Sequence, residues 1–287
     1  MPASSTFSAD PPVTTPSDIA RHYTSGNLLQ RLEAALRDDG CDPHRPTLAA
    51  LAPYDQFHGR GLEATVEMTA LVQVRPTDHL LDDGCGIGGP ARYFVDRFGC
   101  RVTGIDLTAE FCEVARHFTR LLGMQERAAF EVGDALAMPF AAESFDGAYS
   151  MNVSMNIADK HALYREIRRV LKPGGWLILS EIAQGEGGEP EYPTPWAASS
   201  RTSFLATPDE TRRTLAEAGF DVVSVRSTAE EARAFGMRAR AMVERGEKAP
   251  HRAVTLIHGD LAPAAIANVG RGMSEGRIVP IEVLCRR

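Results

Sequence analysis

The sequence predicts an α/β fold: a doubly wound, mostly parallel sheet of seven strands, with an N-terminal helical extension and cap insertions. Three observations carry this. Between residues 79 and 181, short apolar or β-branched runs alternate with amphipathic helical stretches, the pattern from which parallel sheets are built. The first run, Leu80-Leu81-Asp82-Asp83, enters a turn holding Gly84, Gly86, Gly88 and Gly89. Such a turn lets a ligand press against bare backbone at a helix N-terminus. Finally, polar residues follow successive strands: Asp106, Asp134 and Asn152. In open α/β sheets ligands bind at those carboxyl ends.

The elements follow in chain order. Residues 1–16 are rich in Ser, Thr, Pro and Ala and are expected to form a flexible arm. Residues 17–74 are expected to form a helical cap. Within it, 17–39 reads as helix with a break near Ser25-Gly26, and Leu28, Leu29, Leu32 and Leu36 make an apolar stripe at helical spacing. Residues 51–61 read as a polar, aromatic loop, and 61–71 as a helix with Leu62, Val66 and Thr69/Ala70 inward. The core occupies 75–287. Strands are expected at 79–83, 101–106, 128–132, 145–151 and 175–181, with helices at 90–98, 109–122 and 160–171. The helix at 109–122 carries Phe111, Val114, Ala115, Phe118 and Leu122 on one face. Pro90 suits a first helical turn, where its missing N–H is no loss. Residues 182–206 break the rhythm with glycines and prolines around Trp196; long loops of this kind are usually functional, and this one reads as a substrate cap. A helix at 208–218, a strand at 220–227, helices near 228–246 and 260–274, and a strand from Arg277 to Cys285 complete the reading. The stretch 228–274 is the second cap insertion.

The ligand is argued from charge. Gly84-x-Gly86-x-x-Gly89 satisfies the dinucleotide fingerprint. Asp82, two residues ahead of it, would repel a pyrophosphate and welcome a cationic amino-acid end. S-adenosylmethionine (SAM) carries an ammonium and a sulfonium and no phosphate. The acid-x-Gly-x-Gly-x-Gly string resembles the first motif of class I SAM-dependent methyltransferases. Later motifs follow in order: Val102-Thr103-Gly104-Ile105-Asp106, then Glu131-Val132-Gly133-Asp134-Ala135, then Phe145 to Asn152, then Leu171-Lys172-Pro173-Gly174-Gly175. Within that superfamily the chain is similar to small-molecule enzymes of the sarcosine/dimethylglycine and tocopherol type. The similarity lies in Gly88-Gly89-Pro90-Ala91-Arg92, Asp55-Gln56-Phe57-His58 and Pro195-Trp196-Ala197.

The resemblance implies a Rossmann-like methyltransferase fold and SAM as cofactor. It implies that Asp82 and the backbone of Gly84, Cys85, Gly86 and Gly88 hold the methionine portion. Asp106 would take the ribose hydroxyls, Leu107 would lie against adenine, Asp134 with Ala135 would read the adenine edge, and Asn152 would face cofactor and acceptor. Cys85 reads as a small packing residue rather than a nucleophile. Two departures stand out. Position 83, normally apolar, is Asp, and a buried carboxylate must be paired, protonated or turned toward a polar cavity. The segment after the fourth strand, Asn152-Val153-Ser154-Met155-Asn156, offers no strong base.

Methyl transfer needs alignment and a dry cavity above all; an acceptor that must lose a proton also needs a base. The candidates are His58, Tyr54 and Glu181, with His258 behind them. Trp196, Met155, Arg201 and His258 are candidate acceptor contacts: Trp196 as an aromatic wall for an amine or a flat ring, Arg201 as a fork for a carboxylate. Glu181, at the end of the fifth strand, is well placed as a base, the alternative being a pair with Arg201 or Lys172. The expected reaction is N-methylation of an amine or amino-acid-like small molecule, with C- or O-methylation of a phenolic or prenylated acceptor as the alternative and S-methylation behind it. A SAM-binding protein without transferase activity and a nicotinamide oxidoreductase are the readings from other classes.

Composition narrows the field. A net charge of −7 and the absence of a long basic run argue against nucleic acid as partner. No stretch approaches the ~20 apolar residues of a membrane span, and no secretory signal is visible. Five cysteines without close pairs suggest reduced thiols and a cytoplasmic location. No Cys/His spacing resembles a zinc site, so no metal is expected. The N-terminal helices can cover their own site or a neighbour's, which leaves a homodimer open.

Overall fold

The computed structural model describes residues 16–287, with side chains from Ile19 onward. All of the expected N-terminal arm except Pro16 lies outside the described residues. Four helices come first: α1 (Pro16–Tyr23), α2 (Leu28–Asp38), α3 (Leu48–Asp55) and α4 (Leu62–Thr69). The core runs β1 (His79–Asp83), α5 (Gly89–Phe98), β2 (Arg101–Asp106), α6 (Ala109–Leu121), β3 (Ala128–Val132), β4 (Phe145–Met151), α7 (Lys160–Val170), β5 (Leu171–Gln184), α8 (Pro208–Glu217) and β6 (Asp221–Ser227). Then come α9 (Ala229–Glu244), α10 (Ala253–His258), α11 (Ala262–Ser274) and β7 (Ile278–Arg286).

The sheet order is β3-β2-β1-β4-β5-β7-β6. The first five strands are parallel, and β7 pairs antiparallel with both β5 and β6. The order reverses between β1 and β4, which places the crevice for a ligand beyond their carboxyl ends. Alternation along each strand feeds two faces. Leu80, Tyr149 and Ile178 point to the face covered by α4, α5 and α6. Leu81, Ala148, Leu177 and Leu179 point to the face covered by α7 and α8. The stripe Leu28, Leu32 and Leu36 of α2 is buried against Phe111, Val114 and Phe118 of α6 and Leu256 and Ile257 of α10. The N-terminal helices are thereby docked beside the strand ends.

Several local readings change, although the expected break near Ser25-Gly26 is present, between α1 and α2. Glu110 fixes that turn by accepting the backbone N–H groups of Ser25, Gly26 and Leu28 at 2.7, 3.0 and 2.8 Å. The stretch 51–61, read as loop, opens inside α3, whose start is capped by Thr47 accepting from the Ala50 amide at 3.1 Å. Its unbroken apolar run Leu48–Pro53, with Pro53 inside the helix, hides the helical period. In α4 the buried side chains are Ala64, Thr65, Met68 and Thr69, while Leu62 and Val66 are exposed. The face is turned by Thr65, which donates to Gln56 Oε1 at 2.7 Å. Strand β5 starts at Leu171 rather than 175. Leu171 pairs with Phe145 and Trp176 with Gly147, so Lys172–Gly175 bulge out between two paired positions. The helical part of the second cap insertion contains α10, which the sequence reading left out.

Candidate active site

The turn after β1 is built by positive-φ glycines: Gly84 (72°), Gly86 (51°) and Gly88 (81°). The amides of Gly84 and Cys85 donate to the Ile105 carbonyl at 2.9 and 3.0 Å, which ties the turn to β2. A side chain on Gly84 would stand 2.2 Å from Val153, so the turn and the loop after β4 are pressed together. Gly86 differs: a Cβ there meets nothing within 4 Å and would project into open space. Gly88 N-caps α5, and a Cβ there would strike Phe130 and Arg92. Arg92, the last residue of the Gly-Gly-Pro-Ala-Arg string, is fully buried. It donates to Asp55 Oδ2 at 2.8 Å and to the Ile87 carbonyl at 2.7 Å. A buried ion pair thus joins the glycine turn to the end of α3.

Beyond the strand ends lies one cavity of about 450 Å³. One end is walled by Gly84, Gly86, Asp106, Leu107, Asp134 and Ala135. Asp106 accepts the Gly86 amide at 2.9 Å and the Thr108 amide at 2.8 Å. Burial still lifts its carboxyl above the ordinary value, against those two donors. Asp134 accepts the Leu136 amide at 2.9 Å. The open side of Gly86 and the two acids suit a ligand with hydroxyl and amino donors, so the residues present fit the cofactor implied by the sequence. Asn152 links this end to the other. It holds φ at 58°, a conformation Asn tolerates better than most residues, and its amide donates to Ser180 at 2.7 Å.

The far end is mostly apolar. Phe57, Met151, Met155, Ile157, Trp196 and Phe204 line it, together with His58 and His251. Helix α1 closes it: Ile19 and Tyr23 face the cavity. The Tyr23 hydroxyl donates to Asn156 Oδ1 at 2.8 Å, and Asn156 Nδ2 donates to the Trp196 and Thr202 carbonyls at 2.7 and 2.8 Å.

Of the residues singled out in the sequence, Gly84, Gly86, Asp106, Leu107, Asp134, Ala135, Asn152, His58, Met155 and Trp196 line this one cavity. The others stand elsewhere. Asp82 is buried with Oδ2 unpartnered among the described residues, and burial holds its carboxyl well above the usual range. Cys85 is buried and its thiol is likewise pushed far up; it packs where a side chain on Gly104 would be. Gly88 lies under the turn. Tyr54 faces away, donating to Asp39 Oδ2 at 2.8 Å and lying beneath the Arg252 guanidinium. Its hydroxyl is absorbed in a structural ion-pair cluster. His258 packs behind the α1 lid, 5.0 Å from the His22 ring. Arg201 is an exposed residue in the short turn Ser200–Thr202, outside the cavity lining.

Glu181 is buried behind the wall, and the alternative partner Lys172 pairs with Asp146 instead, at 2.6 Å. Glu181 Oε1 accepts the Ser154 amide at 3.1 Å and so braces the loop carrying Asn152 and Met155. Burial raises its carboxyl to about 7. Asp83 shares that environment. It accepts from Ser150 Oγ at 3.0 Å, and burial, with Glu181 nearby, raises it to about 7.

Among the lining groups that escaped the sequence reading are Tyr23, Phe57 as a cavity wall, and His251. His58 and His251 are both kept neutral by burial, at about 3 and about 4. His58 is enclosed by Gln56 Oε1 and Thr65 Oγ1 around Nε2 and by the Gly59 carbonyl at Nδ1. His251 is simpler. Nε2 lies 2.8 Å from the Gln56 carbonyl, which can only accept, so Nε2 carries the proton and Nδ1 keeps its lone pair. Nδ1 has no hydrogen-bond partner among the described residues. No signal near His251 in the sequence pointed to the site, because α10 itself was not foreseen.

Comparison with known proteins agrees with this geometry. Residues 81–179 match the family model described as a methyltransferase domain. A phosphoethanolamine N-methyltransferase of Arabidopsis thaliana is 37% identical over 43% of this chain and 25% of its own length. The chain spans between about a quarter and three fifths of the length of the curated relatives it matches. Among solved structures, geranyl diphosphate C-methyltransferase from Streptomyces coelicolor A3(2) superposes with a TM-score of 0.68 at 19% identity, covering 97% of this chain and 100% of that one. The [4+2]-cyclase SpnF gives 0.68 at 20%, over 96% and 98%. These likenesses establish the fold. The seven-stranded sheet is thus the Rossmann-like fold of these solved structures, and residues 81–179, glycine turn included, are similar to a methyltransferase domain.

Proposed function

We propose that the protein is a SAM-dependent methyltransferase acting on a small molecule. The observation that carries this is a single cavity in which acids from two strand ends meet an apolar chamber closed by α1. SAM bound there would supply a methyl group activated by its sulfonium. Asp106 would receive ribose hydroxyls and Asp134 the adenine amino group. Asn152 and the Glu181-braced loop would hold the two ligands in register, and α1 with Trp196 would exclude water. Where the acceptor must lose a proton, His251 Nδ1 is the open acceptor in the chamber, with its tautomer fixed, while burial, which holds it near 4, keeps it a weak base.

N-methylation and the C- or O-methylation alternative both use this arrangement, and curated relatives include N-, O- and C-methyltransferases. Arg201, considered as a carboxylate fork for an amino-acid-like acceptor, does not line the cavity. The test is incubation with methyl-deuterated SAM and a metabolite extract, followed by mass spectrometry. A labelled product is expected, and its fragmentation names the atom methylated. No product from broad extracts, with SAM bound by calorimetry, would overturn the transferase reading in favour of a binding protein.

A further inference from the structure

We propose that the acceptor is a neutral, largely apolar molecule bearing neither phosphate nor carboxylate. This deepens the transferase reading and rests on it. The argument is the inventory of charge around the cavity. Its ionisable carboxylates are Asp106, Asp134 and Asp159, and no Lys or Arg lines it among the described residues. The residues outside the description cannot supply a side-chain cation, since the first 20 residues contain no Lys, Arg or His.

Cations on adjoining segments are committed elsewhere. Arg60 pairs with Glu67 at 2.6 Å. Lys160 Nζ donates to the Ser154 and Ile157 carbonyls at 2.7 and 3.1 Å, and Arg252 holds Asp39 and the Tyr54 hydroxyl. The start of α7, which could otherwise offer amides to an anion, is already filled by Asp159 accepting from Ala162 at 2.8 Å. The two lining histidines are neutral. A phosphate here would give up water for an apolar wall and like charges, an unfavourable placement for an uncompensated ion. The amino-acid end of SAM escapes this because it brings its own ammonium. Apolar acceptors gain instead, from Phe57, Met155, Ile157, Trp196 and Phe204.

The experiment uses matched pairs on the full chain with S-adenosylhomocysteine present: geraniol against geranyl diphosphate, and 4-butylphenol against 4-butylphenyl phosphate. Trp196 lines the chamber, so fluorescence quenching reports occupancy, and its loss in Trp196→Phe verifies the source. Melting temperature gives a second readout. The neutral member is expected to bind at least tenfold tighter in each pair. A phosphorylated member binding equally or better in either pair, or failure of both neutral members to register by either readout, overturns the proposal. SAM calorimetry run alongside tests the transferase reading separately: absent SAM affinity defeats that reading, whereas intact SAM affinity with a preference for phosphate defeats only the acceptor class.

Discussion

Asp106 does two things with one carboxylate: it locks the glycine turn through Gly86 and faces the cavity. Asp106→Ala should therefore abolish measurable SAM binding in calorimetry, and Gly86→Val should do the same for a different reason. A β-branched residue is strained at φ 51°, and its side chain would enter the space beside the turn. Unchanged affinity in either variant would sink the cofactor assignment. At the other end, His251→Gln should lower kcat on a hydroxyl or amine acceptor by about 100-fold while leaving SAM affinity within about twofold. The acids at the strand ends were legible because motif spacing locates them. Tyr23 and His251 were not, since Tyr23 reaches the cavity from α1 and His251 from the loop before α10, both far away in sequence. Tyr54 and Asp82 show the converse: a suggestive local string does not say which way a side chain turns.

At the scale of elements, α3 matters more than its eight residues suggest. Its last residue, Asp55, neutralises Arg92 in the interior, and a side chain on Gly89 would strike the Asp55 carbonyl at 2.2 Å. Asp55→Ala would leave a buried guanidinium without its counter-charge. Breaking such a pair costs about 3–5 kcal/mol, so Tm is expected to fall on the order of 10 °C, with SAM binding weakened because the turn loses its support. A drop of only a degree or two in differential scanning calorimetry would contradict the pairing. The core strands and helices were readable from alternating period and punctuation. The exceptions have common causes: α3 lacks an apolar period, the face of α4 is set by Thr65 reaching Gln56, and β5 begins early because a bulge absorbs Lys172–Gly175.

For the whole molecule, the mostly parallel sheet followed from strand–helix alternation, whereas the apolar chamber depended on contacts between α1, the 182–206 cap and α10–α11 that no local pattern encodes. Stability carries a pH signature of the same interior. Asp83 and Glu181 titrate near 7 in the folded chain, against about 4 when unfolded. The native state therefore holds more protons than the unfolded state between those values, and stability declines as pH rises from about 4 through 7. Asp83→Asn removes one of these groups. It should melt higher than the wild type at pH 8, with the gap closing below pH 5. A gap that widens on acidification would reverse the assignment.

Helix α1 meets both halves of the cavity, Tyr23 standing near Asp106 on one side and bonded to Asn156 on the other. One element therefore answers to two ligands. If either occupant tightens the seating of α1, it prepares the site for its companion, and by thermodynamic reciprocity the two binding constants rise by the same factor. Two ligands bound there would be held cooperatively, and release of one would loosen the hold on the other.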